Sequence, residues 1–350
     1  MNFERVEEIA EAVLYEGYML YPYRPSSVKN RQRFNFGVLC PPAYCEMQPG
    51  SESSSMHTEC LFKATPCARL TVKIRFLQLV ERSVARYRGQ RSGVGDDSAI
   101  ELEYLDRLES NGVVYRPWQE ATERSITHDA LCPAELLSSR EFNFTIPGES
   151  SRKDLIEEGS GGVILRESRS LAGLLNLRTE QCCNNVMRLV VRVENCSSFH
   201  GSGPDPNRDD ALSSSLVSAH IILGIEDGEF LSLLDPPAEY ADLARNCTNV
   251  GNWPVLAGDD ATTMLASPII LYDYPQIAPE SAGNLFDGTE IDEILSLRIL
   301  TLTDREKAEI RQSDDRARDL LDRTESIPDE QFMKLHGVLR GMAVGKEGAA

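Results

Sequence analysis

The chain has 350 residues, with 36 basic against 55 acidic side chains, a formal net charge of -19 and an apolar share of 41%. That length allows two ordinary domains, and the composition is that of a globular chain rather than a disordered or fibrous one. The acidity argues against a nucleic-acid-binding surface, which needs a positive footprint, and no apolar run approaches the roughly 18 residues of a membrane span.

The opening segment, MNFERVEEIAEAVLYEG, places acids where a secretory signal carries basic residues, so export through this end is not expected. Residues 3 to 16 are expected to form a helix. Val6, Ile9, Ala10, Val13 and Leu14 fall on one face, Glu4, Glu7, Glu8 and Glu11 suit the positive end of the dipole, and Gly17 is the expected closing cap.

From Gly17 to Gly37 the chain reads GYMLYPYRPSSVKNRQRFNFG, with aromatics Tyr18, Tyr21, Tyr23, Phe34 and Phe36, basic Arg24, Lys29, Arg31 and Arg33, and no acid. Two readings are open. The ribbon is either an internal strap, its aromatics on a sheet and its basic heads on the chain's own acids, or a recognition surface, since Tyr and Arg are over-represented at binding hot spots. Tyr21, Tyr23, Arg24, Lys29, Arg31 and Arg33 are the candidate partner-binding residues of the second reading.

Nine cysteines follow at spacings that do not read as a disulfide framework. CPPAYC sets Cys40 and Cys45 around a turn; as half of a metal site it would need Cys60, Cys67 or His57 to complete it, whereas most free cysteines are small core residues. QPGSESSS is a loop.

Two stretches alternate as half-buried antiparallel strands do: Leu70, Val72 and Ile74 in RLTVKIR, and Leu189, Val191 and Val193 in RLVVRVE. Their likeness admits a duplicated module. Between them, residues 146–170 are rich in Gly, Ser and charge and mark the expected domain boundary. Downstream, HIILGIEDGEFLSLL (220–234) is expected to form a hairpin about Asp227-Gly228, and ASPIILYDYP (266–275) a buried strand stopped by Pro275.

The end of the chain reads as helical. Thr289 caps DGTEIDEILSLRIL, a capping box links Thr303 to Glu306 at the start of a helix expected to run to about residue 325, and Ser326 caps a last one bearing Phe332, Leu335 and Leu339. The expected fold is α+β, predominantly antiparallel β in sandwich-like modules, with an N-terminal helix and a C-terminal helical hairpin. The expected organisation is a β-rich domain over 1–150, a linker over 151–170, a second β-rich domain over 171–300 and a helical segment over 301–350.

No Walker A, GxGxxG, GxSxG or HExxH pattern occurs, and none of the five histidines sits in a recognisable catalytic context. His220, at the start of the expected hairpin, is read as structural, with Cys247 or an acid as the partner it would need to ligate a metal. Asp287, Glu290, Asp292 and Glu293 in FDGTEIDE suit a helix N-terminus and lack the alternating ligand spacing of a calcium loop.

The blocks EGYMLYPYRPSSVKNRQRFNFG, WPVLAG, LASPIILYDYPQIAPESAGNLFDGTEIDEILSLRILTLTDREK and LHGVLRG together resemble an uncharacterised bacterial family associated with the gene neighbourhoods of uptake-type [NiFe] hydrogenases. The resemblance covers nearly the whole chain, and its Leu265–Lys307 block is specific. It implies a cytoplasmic accessory factor that matures or assembles the hydrogenase, and it supplies no catalytic residue. The expected function is therefore a non-catalytic assembly factor that binds another protein through the ribbon, with no cofactor, nucleic acid or membrane span. The alternative is a metal-dependent hydrolase or metal carrier, with Cys40, Cys45, His220, Asp287 and Glu290 as candidate ligands.

Overall fold

The computed structural model describes residues 3–19, 36–88, 101–155, 162–183, 185–199, 207–276, 302–311, 318, 321–322 and 325–326. Its organising element is β1 (Ser55–Tyr87), a single strand of 33 residues. One edge of β1 pairs in turn with β10 (Val186–Asn195), β5 (Trp118–Leu131) and β2 (Leu102–Leu105). Its other edge pairs with β11 (Val217–Leu231) and then β8 (Gly162–Glu167). With β6 (Arg140–Ile146), β7 (Ser150–Leu155), β9 (Leu171–Cys183), β12 (Trp253–Leu256) and β13 (Thr263–Ser267), these make one 11-stranded antiparallel sheet. Beside it stands a small ribbon of β3 (Leu108–Ser110) and β4 (Val113–Tyr115).

The sheet folds onto itself in two layers, and β1 passes from one to the other. Its first half lies with β10, β9 and β6, its second with β5, β11, β13 and β12. The Phe76 and Phe144 rings meet at 6.0 Å and those of His128 and Phe142 at 4.3 Å, so β6 covers the second half of β1 and β5. Alternate residues from every long strand fill the space between: Phe62, Val72 and Ile74, then Leu175 and Leu177, Leu189 and Val191, Ile221 and Leu223. The apolar half of the alternation expected at 69–75 and 188–194 holds, and both stretches feed one apolar cluster, but the second face at 69–75 is not half-open to solvent, since Thr71 and Arg75 are also buried.

The corner is where Asp227-Gly228 was expected to reverse the chain. Instead β11 runs through it, and residues 65–68 of β1 stand opposite Asp227 in an irregular stretch of the pairing. Asp227 takes φ 54°, and a Cβ on Gly228 would come within 2.6 Å of the Lys63 carbonyl oxygen. The local chemistry that favours a two-residue turn serves here as a bulge that bends two paired strands together.

The 151–170 stretch, expected as a linker, supplies β7 and β8, and β8 pairs with β1. Gln78, buried on β1, donates to the carbonyls of Pro147 (3.3 Å) and Arg169 (2.8 Å) and accepts from Arg124 Nε (2.8 Å). Strands from both sides of the expected boundary thus share one sheet and one apolar cluster. Within that cluster Phe144 lies opposite Gly173, and a Cβ on Gly173 would intrude on the Phe144 ring. Gly173→Ala should cost about 1–3 kcal/mol through overpacking. Chemical denaturation checks this, and an unchanged midpoint would contradict it.

Outside the second layer lies α1 (Phe3–Met19), which carries helical geometry through Gly17 instead of ending there. Val6, Ile9 and Ala10 bury against Ile222, Val255, Leu265 and Leu271, each large side chain contributing about 1.5–3 kcal/mol. That gain exceeds the roughly 0.5–1 kcal/mol a helical glycine costs.

Of the short helices, α2 (Pro42–Met47) and α3 (Arg208–Leu212) cluster with Leu77 and Leu79 of β1, and α4 (Ala241–Arg245) with Leu61 and Leu231. The last described helix, α5 (Asp304–Arg311), opens on the expected capping box: Glu306 Oε2 accepts from Thr303 N at 2.8 Å, and Glu306 N donates to Thr303 Oγ1 at 3.4 Å. A straight helix to residue 325 would separate Lys307 from Glu325 by about 27 Å, yet their charged groups lie 3.0 Å apart. The remainder of the expected hairpin, including Phe332, Leu335 and Leu339, lies outside the described residues. No helix among the described residues is long and apolar enough to cross a membrane.

Candidate functional site

The segment after β13 is the least expected feature of the surface. Read from sequence as a buried strand over 266–275, it leaves the sheet at Ser267, whose hydroxyl donates to the Ile269 carbonyl at 2.6 Å and turns the chain outward. From there burial alternates. Leu271 is 7% exposed and packs on α1 and β13, whereas Ile270 and Tyr272 are 72% and 87% exposed.

Asp273 fixes the far end of this strip. Its Oδ1 accepts from the Leu256 amide at 2.8 Å and its Oδ2 from the Ser232 hydroxyl, while the Tyr274 amide donates to the Leu256 carbonyl at 2.7 Å. Ser232 Oγ also accepts from the amides of Leu234 (3.1 Å) and Asp235 (2.8 Å), which holds the turn after β11 with Leu234 outward. Ile270, Tyr272, Tyr274 and Leu234 are therefore presented by a hydrogen-bonded frame rather than by a loose loop, and Trp253 is also exposed, at the start of β12. Partial burial, with Asp273, Asp260 and Glu229 nearby, raises the Tyr274 phenol above its ordinary range, so it stays neutral. Exposed apolar groups gathered in this way mark interaction surfaces.

The candidate partner-binding residues Tyr21, Tyr23, Arg24, Lys29, Arg31 and Arg33 lie outside the described residues. The residues that end the ribbon do not. Gly37 takes φ 59°, accepts from the Ala219 amide at 2.9 Å, and is so close to Pro268 that a Cβ would clash with that ring. The ribbon's last residue thus abuts the first residue of the exposed strip.

The candidate metal ligands among the described residues do not converge. Cys40 is buried among Val38, Tyr44, Leu77 and Leu212, where burial, opposed by a hydrogen bond with Ser215, pushes its thiol up to about 12. Burial also raises the Cys45 thiol, whose Sγ lies 3.9 Å from the Cys40 carbonyl oxygen. None of the residues needed to complete a site with them arrives: Cys60 is buried in the central cluster, Cys67 is exposed at the β1 bend, and His57 Nε2 contacts Glu59 Oε1 at 3.1 Å.

His220 stands opposite Arg75 across the β1–β11 pairing, on the side covered by α1. Its Nδ1 lies 3.0 Å from the Ser218 carbonyl oxygen, which makes Nδ1 the protonated nitrogen, and its buried Nε2 has no partner among the described residues. Burial foremost, with Arg75 adding to it, lowers its pKa to about 4. Cys247, its suggested partner, instead lies beside Arg188, and burial pushes that thiol up to about 11. Asp287 and Glu290 lie outside the described residues. Among the described residues no group of three or more His, Cys, Asp or Glu side chains could hold a metal ion.

The strip was missed because apolar content was read without its period. Between Pro268 and Pro275, Ile270, Tyr272 and Tyr274 alternate with Leu271 and Asp273, a half-exposed pattern rather than a buried run. No protein-family model matches the chain, and no curated protein matches it.

Proposed function

We propose that this chain is a non-catalytic accessory or assembly factor that works by binding another protein. The observation that carries this reading is the strip in which Leu271 and Asp273 are anchored while Ile270, Tyr272 and Tyr274 face outward. Aromatic side chains on a rigid frame contribute buried area at low entropic cost, which is why they dominate binding hot spots. The buried Cys40 and the raised thiols of Cys45 and Cys247 offer no activated nucleophile beside the strip. The resemblance to a family found near [NiFe] hydrogenase genes makes a cytoplasmic hydrogenase subunit or maturation factor the partner to try first. The ribbon, arriving at Pro268 through Gly37, would extend the surface with Tyr21, Tyr23, Arg24, Lys29, Arg31 and Arg33.

The test is co-purification of the tagged chain with its host's hydrogenase subunits. Ile270→Ser with Tyr272→Ser should abolish capture and shift stability by no more than about 0.5 kcal/mol, as surface substitutions do. Undiminished capture by this variant would overturn the reading. Arg31→Glu with Arg33→Glu separates the ribbon's two roles. As a partner surface, it loses capture, with little change in melting and with added salt weakening capture by the parent. A clear melting drop with parental capture by the folded fraction would assign the ribbon to internal bracing.

A further inference from the structure

We propose that the face around Tyr272 and Tyr274 docks an arginine- or lysine-rich segment of a partner protein, which rests on the binding role above and names its chemistry. The strip does not stand in neutral surroundings. Asp260 lies within electrostatic reach of the Tyr274 ring, Asp273 is its chain neighbour, and Glu229, also within reach, is paired with Lys63. Asp235 follows the outward Leu234 on the adjoining turn. The hydrogen bonds received by Asp273 come from the Leu256 amide and the Ser232 hydroxyl, and Asp260 accepts from the Thr262 amide at 2.9 Å. Both oxygens of Asp273 are thus engaged in the frame, whereas Asp260 is exposed and the hydrogen bonds from Thr262 hold its carboxyl below the ordinary range.

The same surface already contains the arrangement that a basic partner would repeat. Lys63 Nζ sits 5.5 Å from the Tyr240 ring centroid while 2.9 Å from Glu229 Oε1, a cation held between a tyrosine face and a carboxylate. Tyr274 offers a further ring near Asp260, and Tyr272 stands exposed two residues before it. A cation over a tyrosine face gains most when a flanking carboxylate holds it there. The net charge of -19 attracts cations to the whole molecule, so the test must separate this face from that general field.

A fluorescent octa-arginine peptide is the probe, with octa-glutamate as its mirror, read by anisotropy at about 0.15 M salt, where general attraction is screened beyond roughly 8 Å. The parent should bind octa-arginine and ignore octa-glutamate, and Tyr272→Ala with Tyr274→Ala should weaken octa-arginine binding about tenfold or more. Circular dichroism of the same variant should match the parent. Equal affinity for parent and variant would reduce the effect to net charge and overturn the proposal, as would no binding by the parent. Because the peptide assay uses no native partner, it can fail while partner capture stands, and capture can fail while it holds.

Discussion

Lowering the pH from about 7 to 4 should destabilise the parent by about 3 kcal/mol more than a His220→Gln variant. An unfolded His220 takes up its proton near 6.5, whereas the folded one resists until about 4. The unfolded state therefore binds more protons in that window, so stability falls as the pH drops through it and levels off below 4. A difference of about 2.5 units corresponds to about 3 kcal/mol. The groups facing His220 are the Arg75 guanidinium, the Glu123 carboxylate and the Ser218 carbonyl. Of these, burial and Arg75 oppose the proton while Ser218 and Glu123 favour it, and burial is the largest. Denaturant titrations of both proteins at several pH values measure the difference. Parallel pH profiles would mean that His220 titrates normally in the fold.

Arg75→Ala should have the largest effect of any single substitution on the helix-covered side, about 3–5 kcal/mol, the range for breaking a buried ion pair. The Arg75 side chain is 3% exposed; Nε donates to Glu123 Oε1 at 2.8 Å, Nη1 to the Glu7 carbonyl at 3.2 Å and Nη2 to Glu11 Oε1 at 3.2 Å. It thereby ties α1 to β1 and β5 at once, and Lys73 adds a second tie to Glu7. Hydrogen exchange should rise first in α1, because the helix loses a backbone tie as well as a charge. Arg75→Lys should recover part of the loss, since an ammonium cannot reproduce the planar fork. A stability change below about 1 kcal/mol would contradict the role. Since Arg75 also lowers the proton affinity of His220, combining both substitutions should be non-additive.

What was legible in the sequence was what depends on near neighbours. The alternation of Leu70, Val72 and Ile74, the apolar stripe of Val6, Ile9 and Ala10, and the Thr303–Glu306 box each lie within a few residues, and each is present. Asp227-Gly228 misled because turn chemistry states only that the backbone can bend. Whether it reverses or merely bulges is decided by residues 65–68 of β1, far away in sequence. The expected boundary at 151–170 failed for a related reason: Gly and Ser flank β7 and β8, but the pairing of Ser83 with Leu165 and Val84 with Ile164 makes β8 part of the β1 sheet. The surface strip was partly legible. Its alternation is in the sequence, while the Ser232–Asp273–Leu256 frame that turns it outward joins residues distant along the chain.

The central claim is that this framed strip contacts another protein. Replacing Tyr272 with the photocrosslinking residue benzoylphenylalanine and irradiating host cells tests it directly, with the same group at exposed Leu137 as the reference. The account predicts one dominant adduct from position 272, identified by mass spectrometry as a single polypeptide and absent from position 137. No adduct from position 272, or the same mixture from both positions, would contradict it.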